Sequence, residues 1–177
     1  IDLVEIGLSP DVSIDVAYAS DPLKVLADPG QLESAILNLV LNANNAMPNG
    51  GVIQIKLAQS DANMALISVI DPGTGMSDTV KKQAIEPFYT TRSEEGGTGL
   101  GLSIVYGFIN QTGGTLDIQS SADSGTQVQI ALPLADEKVI GACAASRTAL
   151  LIDDNPQERH ATKATLVALG YTVTACS

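Results

Sequence analysis

Asp71-Pro72-Gly73-Thr74-Gly75-Met76 and Gly97-Thr98-Gly99-Leu100-Gly101-Leu102-Ser103 bracket a polar stretch that runs through Glu86-Pro87-Phe88-Tyr89-Thr90-Thr91. Glycine lets a backbone approach a ligand closely and adopt φ > 0. Gly99 stands just before an apolar helical pattern, Leu100 to Ile109. A run of free backbone N–H groups at a helix N-terminus is a ready anion site. Together these features imply a nucleotide pocket under a polar lid, Tyr89 to Thr98, with few apolar anchors to order it.

Working outward, the chain of 177 residues holds one full domain and part of another. A formal net charge of −11, with only nine scattered Lys and Arg, argues against a nucleic-acid surface. The 3% aromatic content, without Trp, argues against base stacking on single strands. No apolar run approaches the roughly 20 residues of a membrane span, and no signal-peptide pattern heads the sequence. Cys143 and Cys176 match no metal spacing. A reducing cytoplasm is the expected compartment, although a longer parent chain could be membrane-anchored through its N-terminal part.

Upstream of the glycine turns, Val12 to Tyr18 alternates apolar and polar residues, as a half-buried strand does. Asp28-Pro29 is an N-cap followed by a proline at the first helical position. The helix then runs to about Met47, with Leu32, Ala35, Ile36, Leu39, Val40 and Ala43 in one apolar stripe. Asn38, Asn42 and Asn45 fill a neighbouring face against helix propensity. A plain solvated face would be served by Glu or Lys. Short neutral amides instead suit a place where a carbonyl oxygen binds Mg2+ and no carboxylate repels phosphate.

Strands follow at 52–57 and 64–70, the second delivering Asp71 at its end. A short helix spans 77–85. The helix from Leu100 to about Gln111 stops at Gly113-Gly114, and strands at 115–119 and 127–132 complete the domain. The weakly patterned residues 134–147 read as a linker. Ala149-Leu150-Leu151-Ile152-Asp153-Asp154 reads as a buried parallel strand ending in two carboxylates. A helix at 156–169 and a strand at 171–175 extend it into a βαβ unit.

Asp71 at a strand end is ordinarily a turn residue. In a cleft its carboxylate can instead accept the exocyclic amine of adenine over an apolar floor. Gly97-x-Gly99-x-Gly101 is no dinucleotide fingerprint, because it follows an acidic loop rather than a strand.

From Ala27 to Pro133 the ordered blocks resemble the ATP-binding catalytic domain of sensor histidine kinases. Asn38 and Asn42 resemble the N box, Asp71-x-Gly73-x-Gly75 the G1 box, Glu86-Pro87-Phe88 with Thr90-Thr91-Arg92 the F box, and Gly97 to Leu102 the G2 box. The resemblance implies an α+β fold, the two-layer Bergerat sandwich with a mixed sheet, over residues 1–133. It implies ATP and Mg2+ as cofactors, with Asn42 on the metal and Asn38 and Asn45 facing the phosphates. It puts Asp71 on the adenine amine, supported by Thr126, and has Gly73, Gly75 and Met76 shape the base pocket. Gly97, Thr98, Gly99, Leu100, Gly101 and Leu102 would wrap the phosphates, with Thr90, Thr91 and Arg92 in the lid. Asn45 departs from the residues common at its position, and Pro72 removes one donor from the adenine turn.

Relatives of this fold that hydrolyse ATP resemble one another in carrying a Glu base one turn before the metal Asn. Here Asn38 stands there, and an amide takes no proton at neutral pH. Transfer to a histidine on an upstream dimerisation domain is therefore expected over hydrolysis, in a parent protein expected to be a homodimer. The alternative is a nucleotide-binding regulatory module without catalysis. His160, the only histidine, is expected to be a surface helix residue rather than the acceptor. Residues 148–177 resemble the start of a response-regulator receiver, in which Asp153 and Asp154 would bind Mg2+ only if the domain were whole. A kinase domain followed by a receiver is a hybrid layout, with phosphate passing to a receiver in cis or a regulator in trans.

Overall fold

The computed structural model describes residues 8–18, 22–92, 97–135, 147–152 and 171–176. Two compact units are present, 1–134 and 135–177.

In the first unit, strands β1 (Val12–Ala17), β2 (Gly51–Gln59), β3 (Met64–Asp71), β4 (Thr115–Ser120) and β5 (Thr126–Pro133) form one sheet in the order β1-β2-β3-β5-β4. Only β1 and β2 run parallel; the other pairs are antiparallel. The parallel pair is possible because α1 (Pro29–Asn45) provides the long crossover between them. The Asp28 side chain accepts from Gln31 N at 2.8 Å, and Pro29 opens the helix, as the sequence predicts. α2 (Asp78–Gln83) is a single short piece, and α3 (Gly101–Gln111) ends at Gly113 with φ +73°.

α1 and α3 pack side by side on one face of the sheet. Ala35, Leu39, Val40, Ala43, Val105, Phe108 and Ile109 meet Ile53, Ile67, Val69, Ile130 and Leu132 in one core. The strands supply every second residue to that face, which is why they alternate in burial. The result is the two-layer sandwich with a mixed sheet expected from the sequence. β5 begins at Thr126, one residue before the sequence reading places it, and that puts Thr126 directly opposite Asp71.

Asn44 belongs to neither the apolar stripe nor the amide stripe. It is buried, and its side-chain oxygen accepts from Ser9 N at 2.8 Å, which fastens the segment before β1 to the helix. Leu134 closes the unit by an isolated bridge to Val25, and its N–H donates to Asn63 O.

In the second unit, β6 (Arg147–Ile152) and β7 (Tyr171–Cys176) pair in parallel. The helix expected at 156–169 lies outside the described residues, as do Asp153, Asp154 and His160.

Ile130 on β5 is wholly buried in the core, whereas Ile104 on α3 is exposed. Ile130→Ala should cost about 2–5 kcal/mol in urea unfolding, and Ile104→Ala should stay within about 0.5 kcal/mol. Equal losses would mean that α3 packs on another face.

Candidate nucleotide-binding site

A cleft of about 490 Å3 opens between α1, the ends of β3 and β5, α2 and the start of α3. The residues singled out from four separate parts of the sequence converge on it. Asn38, Asn42 and Asn45 project from α1 on one side. The Asn38 side-chain nitrogen donates to Ser34 O at 2.9 Å, which leaves its oxygen toward α3. A Cβ on Gly101 would stand 3.1 Å from that oxygen and 3.8 Å from Asn42 Nδ2. The amide face of α1 thus looks straight at the N-terminus of α3. That terminus has no side-chain cap on its backbone N–H groups, so its free donors and positive dipole end point at the amides.

Asp71 closes the opposite end of the cleft. It is 7% exposed, and its Oδ1 accepts from Gly73 N at 2.9 Å. Burial pushes its carboxyl above the ordinary value, while the backbone N–H groups of Gly73 and Thr126 pull it back down. Val69 and Val128, neighbours on the sheet, lay an apolar floor between Asp71 and the amides.

The turn after Asp71 is gripped from two sides. Thr74 N donates to Ala46 O at the end of α1, and Asp123 N donates to Thr74 O from the β4–β5 turn. A Cβ on Gly73 would strike Ala46 O, and one on Gly75 (φ +64°) would strike Ser121 O. Gly73 thus shapes the pocket from behind without lining it, whereas Gly75 and Met76 line it.

The lid segment has a fixed neck. Phe88 N donates to Gly99 O at 2.9 Å, and Phe88 adopts φ +66° to do so. Further in, Gly97 N donates to Arg92 O, and Arg92 N donates to Thr90 Oγ1. Thr90, Thr91, Arg92, Gly97, Thr98 and Gly99 all border the cleft. Leu100 serves as the N-cap of α3, and Gly101 and Leu102 reach the cleft. Residues 93–96, the tip of the expected lid, lie outside the described residues.

Residues 27–136 match the family described as histidine kinase-, DNA gyrase B- and HSP90-like ATPases. The chain belongs to that family. Sensor kinase CckA of Brucella abortus is 34% identical over 92% of this chain, and sporulation kinase C of Bacillus subtilis is 41% identical over 65% of it. The chain spans only 20% and 26% of those two proteins. Among solved structures, the mycobacterial sensor histidine kinase MprB superimposes with a TM-score of 0.62 at 30% identity, over 70% of this chain and 83% of that one. Full-length ShkA in complex with AMPPNP superimposes with a TM-score of 0.59 at 26% identity, over 92% of this chain and 35% of that one.

Two groups escape sequence reasoning, one lining this cleft and one just outside it. Val80 and Ala84 of the α2 segment wall the cleft beside Met76, and their spacing of four residues was the only signal. Ser120, at the end of β4, bonds Met76, Gly125 and Thr126 at once. Nothing local marks it, because its partners lie up to 44 residues away. Among the described residues no cluster of three His, Cys, Asp or Glu side chains could hold a metal. The oxygen donors that α1 brings to the cleft are amide carbonyls, a kind that suits a hard cation such as Mg2+.

A buried carboxylate raised above its ordinary value weakens the fold where it is ionised. That penalty is full above the folded-state value and fades as pH falls from it to the unfolded value. Asp71→Asn should therefore melt higher than the parent at neutral pH, and the gap should shrink in acid. Melting curves across pH test this, and a gap that widens in acid would reverse the assignment.

Proposed function

We propose that this chain binds Mg2+-ATP and donates the γ-phosphate to a histidine on an upstream dimerisation domain, in a two-component phosphorelay. The observation that carries the reading is one cleft with two unlike ends. A buried carboxylate sits at one, and an amide row faces an uncapped helix N-terminus at the other. The first end suits an adenine amine and the second suits phosphates, with Asn42 on the metal and Asn38 and Asn45 toward the phosphate oxygens. Free N–H groups from Gly101 to Ser103 receive the anion, and Thr90, Thr91, Arg92 and Thr98 close over it.

Mg2+ held by Asn42 would supply neutralisation of the triphosphate charge. The chain's own groups hold the triphosphate and turn its terminal group outward to an incoming imidazole. Asn38 offers no base to a water molecule, so turnover without an acceptor is slow. On this reading the domain works in the cytoplasm, where ATP is at hand. Among the described residues no helix is long and apolar enough to cross a membrane. The partners on this reading are the upstream phosphoacceptor helices of a homodimer and a receiver, in cis or in trans.

Residues 1–133 form the catalytic domain on this reading, 134–147 a linker, and 148–177 the first βαβ of a receiver. The parallel pairing of β6 with β7 supports that last assignment, since a parallel pair needs a long crossover. Asp153 and Asp154 would hold Mg2+ only in an intact receiver.

Mg2+-ATP at 100 times its Kd should stabilise the chain by about 2.7 kcal/mol, and Asn42→Ala should remove the Mg2+ dependence of that shift. With the upstream helices restored, labelled phosphate from γ-labelled ATP should appear on a histidine. Binding without transfer would leave a regulatory module instead. Asn38→Glu should raise hydrolysis with binding intact; unchanged hydrolysis would place the attacking water elsewhere.

A further inference from the structure

Ser120 stands outside the nucleotide cleft. It lines a separate cleft of about 520 Å3 behind it, with Asp71 and Thr126 as the shared wall. Its hydroxyl makes three contacts. Met76 N donates to Ser120 Oγ at 2.8 Å. Ser120 Oγ donates to Gly125 O at 2.9 Å. Ser120 Oγ and Thr126 Oγ1 lie 3.0 Å apart.

A serine hydroxyl has one proton and two lone pairs. The Gly125 carbonyl can only accept, so it takes that proton. The Met76 N–H can only donate, so it takes one lone pair. The remaining contact is then fixed in sense: Thr126 must donate to Ser120. Thr126 consequently turns its proton away from the cleft and offers only lone pairs inward, beside the acceptor carboxylate of Asp71.

We infer that Ser120 is a positioning residue for base selection: by holding the Thr126 proton it makes the wall around Asp71 accept only. Such a wall receives the two N–H groups of a 6-amino purine. It sets lone pair against lone pair where a 6-oxo purine carries its carbonyl. Without Ser120 the Thr126 hydroxyl is free to rotate and donate to that carbonyl, and the discrimination relaxes. The inference rests on the nucleotide reading above and adds to it the residue that sets the purine class.

The probes are ATP and inosine triphosphate, whose bases differ at position 6 and in the N1 proton that accompanies the keto form. Calorimetric Kd values in Mg2+ are compared for the parent, Ser120→Ala, Ser120→Thr, Thr126→Val and the double variant Ser120→Ala/Thr126→Val. The parent should prefer ATP. Ser120→Ala should narrow the ATP-to-inosine ratio by about 3- to 10-fold, as expected for one hydrogen bond, and Ser120→Thr should restore it. Thr126→Val should narrow it alike, with no further change in the double variant. Equal loss of both affinities in Ser120→Ala would make Ser120 merely structural and overturn the inference. Should Ser120→Ala not fold, an unchanged ratio in Thr126→Val overturns it equally. A parent that binds ATP without preference sinks this inference alone, whereas one that binds neither nucleotide sinks the nucleotide reading with it.

Discussion

The site depends on backbone meeting backbone at distances that exclude a Cβ. Gly125, at φ +77°, lies against Asp71 O, while Gly75 lies against Ser121 O. Gly99 lies in the same way against the Phe88 backbone. The first two contacts bring the turn after β3 onto the turn between β4 and β5, and the third draws the two ends of the lid segment together. A side chain at any of these places would force the segments apart. Positive φ at each of them adds strain for every residue but glycine.

Asp71 shows the other side of this construction. A carboxylate sealed to 7% exposure is a poor choice for stability. Two backbone N–H groups offset part of the burial cost, and the rest is carried by the core beneath. Val69 and Val128 are continuous with Ile67 and Ile130, so the floor of the cleft is the upper edge of the hydrophobic core. The apolar packing that holds α1 and α3 on the sheet also keeps the amide row opposite the start of α3.

Much of this was legible in the chain. α1 announced itself through Asp28-Pro29 and its apolar stripe, since capping and periodicity are local. The amide stripe was visible because Asn is out of place in a helix interior. Asn44 was not, since its partner Ser9 lies 35 residues away, and a buried Asn looks like an exposed one until its acceptor is filled. Ser120 and the pairing of Thr126 with Asp71 depend on strand register, which hydrophobic alternation alone fixes only to within two residues. The order of strands, with β5 between β3 and β4, was equally beyond local pattern.

One strand has an architectural consequence. β5 touches the cleft through Thr126 and leaves the sheet at Pro133, seven residues on, where Leu134 meets Val25 and Asn63. At about 3.3 Å per residue it is a strut of roughly 25 Å, hydrogen-bonded along both edges. The chain therefore leaves this unit at the far end of the sheet from Asp71. Tension applied there runs along β5 and is shared as shear across its two ladders. A pull from that end loads the two ladders before it reaches the turns that hold the cleft.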